Sequence, residues 1–230
     1  MIEEQAIFDI RPARPEDIDF LVETIIQAEK SGTSRLGLAL IFNLTEEKLR
    51  PLLAEMLEEE TEGCEFSLNS FIVAEVNGKL SAAVGGWIEG YNEDKLSSAM
   101  LKSNLLNCTL PYENLMAVGD KHLLLKDLSI ERSWGAYQIE YVYTAPDSRG
   151  LRLAEKLIGR HVSRGLSLKK ELDKVQVQVF AENEAAMKVY TRLGFIPIKE
   201  YVSSGEDILR YLPGRTKLLL EKTIKEKQDE

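Results

Sequence analysis

Apolar residues along the chain switch between two spacings, and the switches mark its elements. AIFDIR, residues 6–11, reads as a short opening strand. From Ile18 the apolar positions Leu21, Val22, Ile25 and Ile26 fall three or four apart, the stripe of an amphipathic helix. Pro15, Glu16 and Asp17 suit its start. SGTSRLG breaks the stripe. Leu49, Leu52, Leu53, Met56 and Leu57 resume it over 45–60, where Pro51 predicts a kink or a place in the first turn. EEETEGCE then reads as a solvated acidic end. SFIVAEVNGKLSAAVGGWIEG predicts a hairpin, because Asn77-Gly78 accepts the positive φ of a tight turn between two β-prone runs. Residues 91–134 hold helix-like pieces, DKLSSAMLKSNLL and HLLLKDL, whose order periodicity does not set.

The last third is more regular. AYQIEYVYTAP (136–146) is a strand ended by Pro146. LRLAEKLIGRHVSRGL is an amphipathic helix with Leu153, Ala154, Leu157, Ile158 and Val162 on one side. KVQVQVF alternates as a strand, and NEAAMKVYTRLG is a short helix closed by Gly194. FIPIKEYV and TKLLLEKTI are the final strands, and KEKQDE reads as a frayed tail. The order predicts a mixed α/β fold with one strand-helix-strand crossover at 136–180. No internal repeat or low-complexity segment interrupts it.

Composition narrows the function classes. The chain has 230 residues, 44% of them hydrophobic and 29% charged, enough for a real core in one large domain or one domain with an insertion. A net charge of −9 argues against nonspecific nucleic-acid binding and is compatible with a cationic substrate. No apolar run approaches the roughly 20 residues of a membrane span. The N-terminal stretch lacks a basic and then apolar leader, so no secretory signal is expected. Two cysteines, Cys64 and Cys108, suit a reducing cytoplasm better than a disulfide framework, and inert thiols are expected. His122 and His161 stand apart, and no Cys, His and acid cluster has metal spacing, so no metal is expected.

One stretch carries chemistry. DSRGLRLAEKL, residues 147–157, lies between a strand and a helix start. Free N–H donors and the positive end of the helix dipole make such a junction receptive to phosphate. Gly150 lets an anion reach the backbone, and Arg149, Arg152, Lys156 and Arg160 form a local basic excess in an acidic chain. The plain alternative is a helix start with a solvated basic face. Both the dinucleotide fingerprint and the P-loop are absent.

YQIEYVYTAPDSRGLRLAEKLI followed by VQVQVFAENEAAMKVYTRLGF resembles the GCN5-related N-acetyltransferases, the GNAT superfamily. That family's acyl-CoA loop reads Arg/Gln-x-x-Gly-x-Gly/Ala. Arg149 matches its first position and Ala154 its last, Gly150 follows the arginine, and Arg152 replaces the internal glycine. Asn183, Ala186, Tyr190, Leu193, Gly194 and Phe195 stand at the spacing of the second motif. IRPARPEDIDFL resembles the family's first strand and helix. The resemblance covers roughly 6–30 and 136–202 and leaves the middle third without a motif. It implies a twisted mixed sheet flanked by helices, with splayed central strands and the cofactor's pantetheine arm between them. It implies a single domain, 1–230, with an insertion at about 91–134.

The resemblance also implies roles. Arg149, Gly150, Leu151, Arg152, Leu153 and Ala154 would hold the CoA pyrophosphate through backbone N–H groups. Arg152 could add a guanidinium contact. Backbone groups of Tyr143 and Thr144 would face the pantetheine and the carbonyl oxygen. Tyr190 would protonate the leaving thiolate; from spacing alone it is a half-buried core tyrosine. Glu140 would be the base, in competition with a water chain, and alternation puts Gln138, Glu140, Val142 and Thr144 on one strand face. Glu89 is a lesser competitor. Asn183 is a helix N-cap, a CoA contact, or both. Trp87 packs or lines a substrate pocket. The expected activity is transfer of an acetyl group from acetyl-CoA to an amine of a small molecule or peptide in a ternary complex. No nucleic acid or membrane partner is expected, and a homodimer is compatible. The alternative is an inactive acyl-CoA-binding or partner-binding protein of the same fold, and a weaker option is transfer of a longer acyl group. The acceptor would be read by 31–65 and the insertion.

Overall fold

The computed structural model describes residues 8–224. Residues 6 and 7 of the expected first strand and the expected tail, 225–230, lie outside the described residues. The strands β1 (Phe8–Pro12), β2 (Phe71–Val76), β3 (Lys79–Ile88), β4 (Tyr137–Thr144), β5 (Lys174–Phe180), β6 (Ile196–Val202) and β7 (Thr216–Thr223) form a seven-stranded sheet. Its order is β1-β2-β3-β4-β5-β7-β6. Only β4 and β5 run parallel. They are the two strands that the expected crossover joins.

The helices are α1 (Ile18–Lys30), α2 (Gly37–Ile41), α3 (Glu46–Glu58), α4 (Ser98–Thr109), α5 (Tyr112–Met116), α6 (Lys121–Lys126), α7 (Leu153–Leu168) and α8 (Glu184–Arg192). The stripes of α1 and α3 bury one sheet face together with Leu105 of α4, in a core that includes Leu21, Ile25, Leu53 and Phe71. The stripe of α7 and Tyr190 of α8 bury the other face, with Ile139, Leu157 and Val177. Among the described residues no helix is long and apolar enough to cross a membrane.

Local chemistry sets the joints. Asn77 and Gly78 take φ of 52° and 77°, the turn that the hairpin pattern predicts. Arg11 of β1 grips Asp17 with two N–H groups at 2.6 and 2.9 Å and Glu75 of β2 at 3.0 Å. Burial pushes the Asp17 carboxyl up, but hydrogen bonds from Arg11 and the Arg14 N–H more than offset it and hold the group ionised. Gly86 is needed because a Cβ there would stand 2.7 Å from the Tyr137 ring and 2.8 Å from His161. That approach lets His161 of α7 bond the Val84 carbonyl at 2.8 Å and the Tyr137 hydroxyl at 2.9 Å. Burial lowers the His161 pKa to about 3, so this histidine is a neutral strut.

Some of these readings need correction. α2 and α5 have five residues each, too short to show a helical period, and were not expected. Pro51 stands inside α3, past its first turn. The acidic end EEETEGCE is solvated at Glu58–Glu60 and Glu62; Cys64 and Glu65 are buried, because the chain turns inward before β2.

The feature that shapes the site is a bulge. Gly85 opposes Glu140 and Ala83 opposes Tyr143, so Val84 faces both Tyr141 and Val142. Tyr141 accommodates the extra residue at φ 51°. Alternation reverses there. Tyr141 enters the α1 core while Val142 packs on the α7 side. The expectation that Glu140 and Val142 share a face therefore fails, because one inserted residue flips every side chain beyond it. β4 bends at the bulge, whereas β5 stays paired with β7 up to Phe180. β4 and β5 pair only at Tyr137–Val175, Gln138–Gln176 and Ile139–Val177 and then part.

Candidate functional site

A cleft of about 670 Å³ opens where β4 and β5 separate. Its walls come from the end of α1, from Glu140–Thr144, from the loop before α7, from the end of β5 and from α8. One end is formed by the glycine turn and the start of α7. Arg149 is extended, and Gly150 follows at φ 88° with open space where a Cβ would sit. The backbone conformation, not a neighbour, asks for glycine there. Arg152 is the N-cap of α7 at φ 55°, and no side chain caps that helix. The first in-helix bond here runs from Lys156 N–H to the Arg152 carbonyl. The N–H groups ahead of it are the free donors of a helix N-terminus.

This geometry answers the oddity at Arg152. The position where the GNAT pattern prefers glycine is left-handed, and arginine takes that conformation at a cost of about 1–2 kcal/mol. Arg149, Gly150, Arg152, Leu153 and Ala154 line the cleft. Leu151 is the exception, since it packs against the α7 core. Tyr143 and Thr144 also line it. Asn183 caps α8 by accepting from Ala186 N–H at 3.1 Å, and its amide donates to Ser31 Oγ at 2.8 Å across the cleft.

The other end holds titratable groups. Tyr190 is buried, lines the cleft and stacks edge-on against Phe195 with ring centres 5.8 Å apart. Burial, reinforced by the Glu140 charge, raises its hydroxyl pKa far above neutrality, so the phenol stays protonated. Glu140 is half-buried, and its Oε1 accepts from Arg132 Nη2 at 2.8 Å. Burial raises its pKa and Glu65 adds to the rise, while Arg132 and Lys217 oppose it. Glu89 is tied up elsewhere, bound by Trp87 Nε1 at 3.1 Å and Ser98 Oγ at 2.6 Å, and does not line the cleft. Trp87 packs beneath the Arg132 guanidinium, 5.2 Å from its ring centre, and is not a cleft residue. Cys64 is buried, with its thiol pushed up to about 11 by burial, and Cys108 is exposed.

Sequence reasoning missed the ions behind Glu140. Arg132 also reaches Glu65 at 3.4 Å, and Lys102 of α4 holds the same carboxylate at 3.0 Å. Burial disfavours the Glu65 charge, but Lys102 and Arg132 hold its pKa down at about 2. Both cations come from the 91–134 stretch, which therefore supports the cleft from behind. Lys217 and Glu29 line the cleft itself. No periodicity marks an isolated Arg132, and alternation in TKLLLEKTI makes Lys217 look like a surface residue. Among the described residues no group of three or more His, Cys, Asp or Glu side chains is arranged to hold a metal ion.

Two strands parting around a cleft, with a glycine turn and an uncapped helix N-terminus at its mouth, define the acyl-CoA N-acyltransferase fold of the GNAT superfamily. The family model described as "Acetyltransferase (GNAT) family" matches residues 125–195. Solved structures agree across the chain. An N-acetyltransferase from Staphylococcus aureus Mu50 superposes with a TM-score of 0.65 at 19% identity, covering 93% of this chain and 100% of that one. A ribosomal-protein-alanine N-acetyltransferase from Brucella melitensis has a TM-score of 0.51 at 14% identity, covering 94% and 99%. YncA from Salmonella typhimurium, solved with its cofactor acetyl-CoA, has a TM-score of 0.50 at 14% identity, covering 97% and 98%. No curated protein matches the sequence. The resemblance to GNAT acetyltransferases, first visible in two loop motifs, thus holds in a family match and in the fold.

Proposed function

We propose that the protein is an acetyl-CoA-dependent N-acetyltransferase that acts on an amine in a ternary complex, as one domain with 91–134 inserted, in a reducing cytoplasm. One observation carries the reading. A single cleft joins an anion-receptive loop to a carboxylate with a raised pKa and a protonated phenol. The residues present fit acetyl-CoA: free N–H groups at the start of α7, with Arg149 and Arg152 beside them, suit a pyrophosphate. The parted strands leave room for an extended arm.

Bound acetyl-CoA supplies an acyl carbon activated as a thioester. Glu140, directly or through water, accepts the proton that the acceptor ammonium must lose. The amine nitrogen then bonds to the acyl carbon, and the bond from that carbon to sulfur breaks. Backbone N–H groups of bulged β4 near Tyr143 and Thr144 stabilise the charge that grows on the carbonyl oxygen. Tyr190 gives its proton to the departing sulfur; the second proton that the nitrogen sheds as the amide forms returns through water to the phenolate, and Glu140 releases its own to solvent.

Two measurements test these roles. Tyr190→Phe lowers acceptor-dependent release of CoA thiol about 10²-fold or more, the scale of a lost general acid, and leaves the acetyl-CoA dissociation constant within about two-fold. Unchanged turnover removes Tyr190 from the role. Acetyl-CoA binding without thiol release across a broad amine panel would replace the whole reading with the acyl-CoA-binding one. At the loop, Arg152→Gly relaxes a left-handed arginine but adds unfolded-chain freedom, so stability changes by about 1 kcal/mol or less. Acetyl-CoA affinity, followed by calorimetry, falls about 10-fold or more if the guanidinium meets a phosphate, the worth of a hydrogen bond to a charged group. Equal or tighter binding shows a backbone grip alone.

A further inference from the structure

At the chemical end of the cleft the cations are paired with one exception. Arg132 holds Glu140 and Glu65, and Lys102 holds Glu65. Lys217 also lines the cleft. Among the described residues it forms no ion pair and no hydrogen bond; its Nζ rests 5.4 Å from the centre of the Phe180 ring. Its place is fixed by register, because β7 sets Lys217 opposite Phe180, the last residue of β5. Burial lowers the pKa of this ammonium; the charges of Glu140 and Glu29 favour it, and Lys102 and Arg132 oppose it. A half-buried ammonium with no direct partner is unfavourable, and an anion supplied from the cleft would relieve it.

Glu29 stands nearby at the end of α1. Its Oε1 accepts the Tyr141 hydroxyl at 3.1 Å. This end of the cleft therefore presents two carboxylates, Glu29 and Glu140, and one ammonium without a direct anion. The complementary ligand carries a cationic amine and an anionic group close together. A carboxylate suits one lysine, whereas a phosphate dianion would keep an uncompensated charge. We propose that the acceptor is a primary amine bearing a carboxylate, an amino acid or close analogue, with Lys217 holding the carboxylate and Glu29 and Glu140 drawing the amine. This rests on the transferase reading and narrows it to a substrate class.

The test compares the common amino acids with their carboxamides, and with phosphoethanolamine, as acceptors. Wild type prefers acids to amides by about 10- to 100-fold in kcat/KM, the worth of one charge-assisted hydrogen bond. In Lys217→Met that ratio falls to about one, and Lys217→Arg restores part of it. Calorimetry with acetyl-CoA establishes that each variant is folded and loaded. A wild-type ratio near one, a ratio that survives Lys217→Met, or phosphoethanolamine outrunning every acid overturns the proposal. If no amine is turned over, the same acids and amides are titrated into the CoA-loaded protein. Acid binding that Lys217→Met abolishes upholds the recognition site and defeats the transferase reading. No acid binding overturns the recognition site.

Discussion

Glu140→Gln is expected to lower kcat/KM for the amine by about 10²- to 10³-fold, the range for loss of a positioned base. Acetyl-CoA binding should change little, since the loop before α7 lies at the other end of the cleft. The pH profile gives the sharper readout. Burial lifts the Glu140 pKa above the ordinary carboxylate value. The wild-type rate should climb as pH rises through that elevated value, because only the ionised form accepts a proton. In the glutamine variant this limb disappears. A loss below about ten-fold with the limb intact would assign proton removal to a water chain. The same shift makes stability fall as pH rises: a group that binds its proton more tightly when folded stabilises most below its unfolded pKa. That contribution fades as pH passes the folded value.

Arg132→Ala should have the largest effect on the fold. Arg132 is largely enclosed between Glu140 and Glu65, its side chain 12% exposed, and stacks over Trp87. Removing one partner of a buried ion cluster strands the others and costs about 3–5 kcal/mol, read as a shift in the denaturant midpoint. Arg132→Lys keeps the charge without the fork and should lose less. Where the alanine variant folds, its acid limb moves to higher pH, because the cation that opposes protonation of Glu140 is gone. Wild-type stability has a matching acid edge. Glu65 is held at about 2, so its contribution is present above the unfolded value near 4.3. It is lost as pH falls toward about 2. An unchanged midpoint in Arg132→Ala would mean that the cluster adds nothing net.

Much of this architecture is written in local periodicity. KVQVQVF is β5 residue for residue, and the stripe of α7 and the Asn77-Gly78 turn are found where the pattern puts them. The loop motif was legible because it depends on neighbours in sequence, and the structure places Arg149, Gly150, Arg152, Leu153, Ala154, Asn183, Tyr143, Thr144, Glu140 and Tyr190 around one cleft. What stayed hidden is long-range. The bulge at Tyr141 is imposed by pairing with β3, and nothing in YQIEYVYT announces it. Arg132 and Lys102 reach Glu65 across 67 and 37 residues of chain, a separation that no helical or strand period encodes. Lys217 enters the cleft only because its strand is added beside β5 after the crossover.

The parting of β4 and β5 divides the sheet mechanically. Four strands, β1 to β4, form one plate, and β5, β7 and β6 form another. Their common seam is three residue pairs long. A molecule lying in the gap then acts as a wedge and a rivet at once, because whatever touches both plates stiffens the seam between them. Cosubstrate and acceptor would each feel the spacing that the other sets, so occupancy at one end of the cleft becomes a mechanical load on the other.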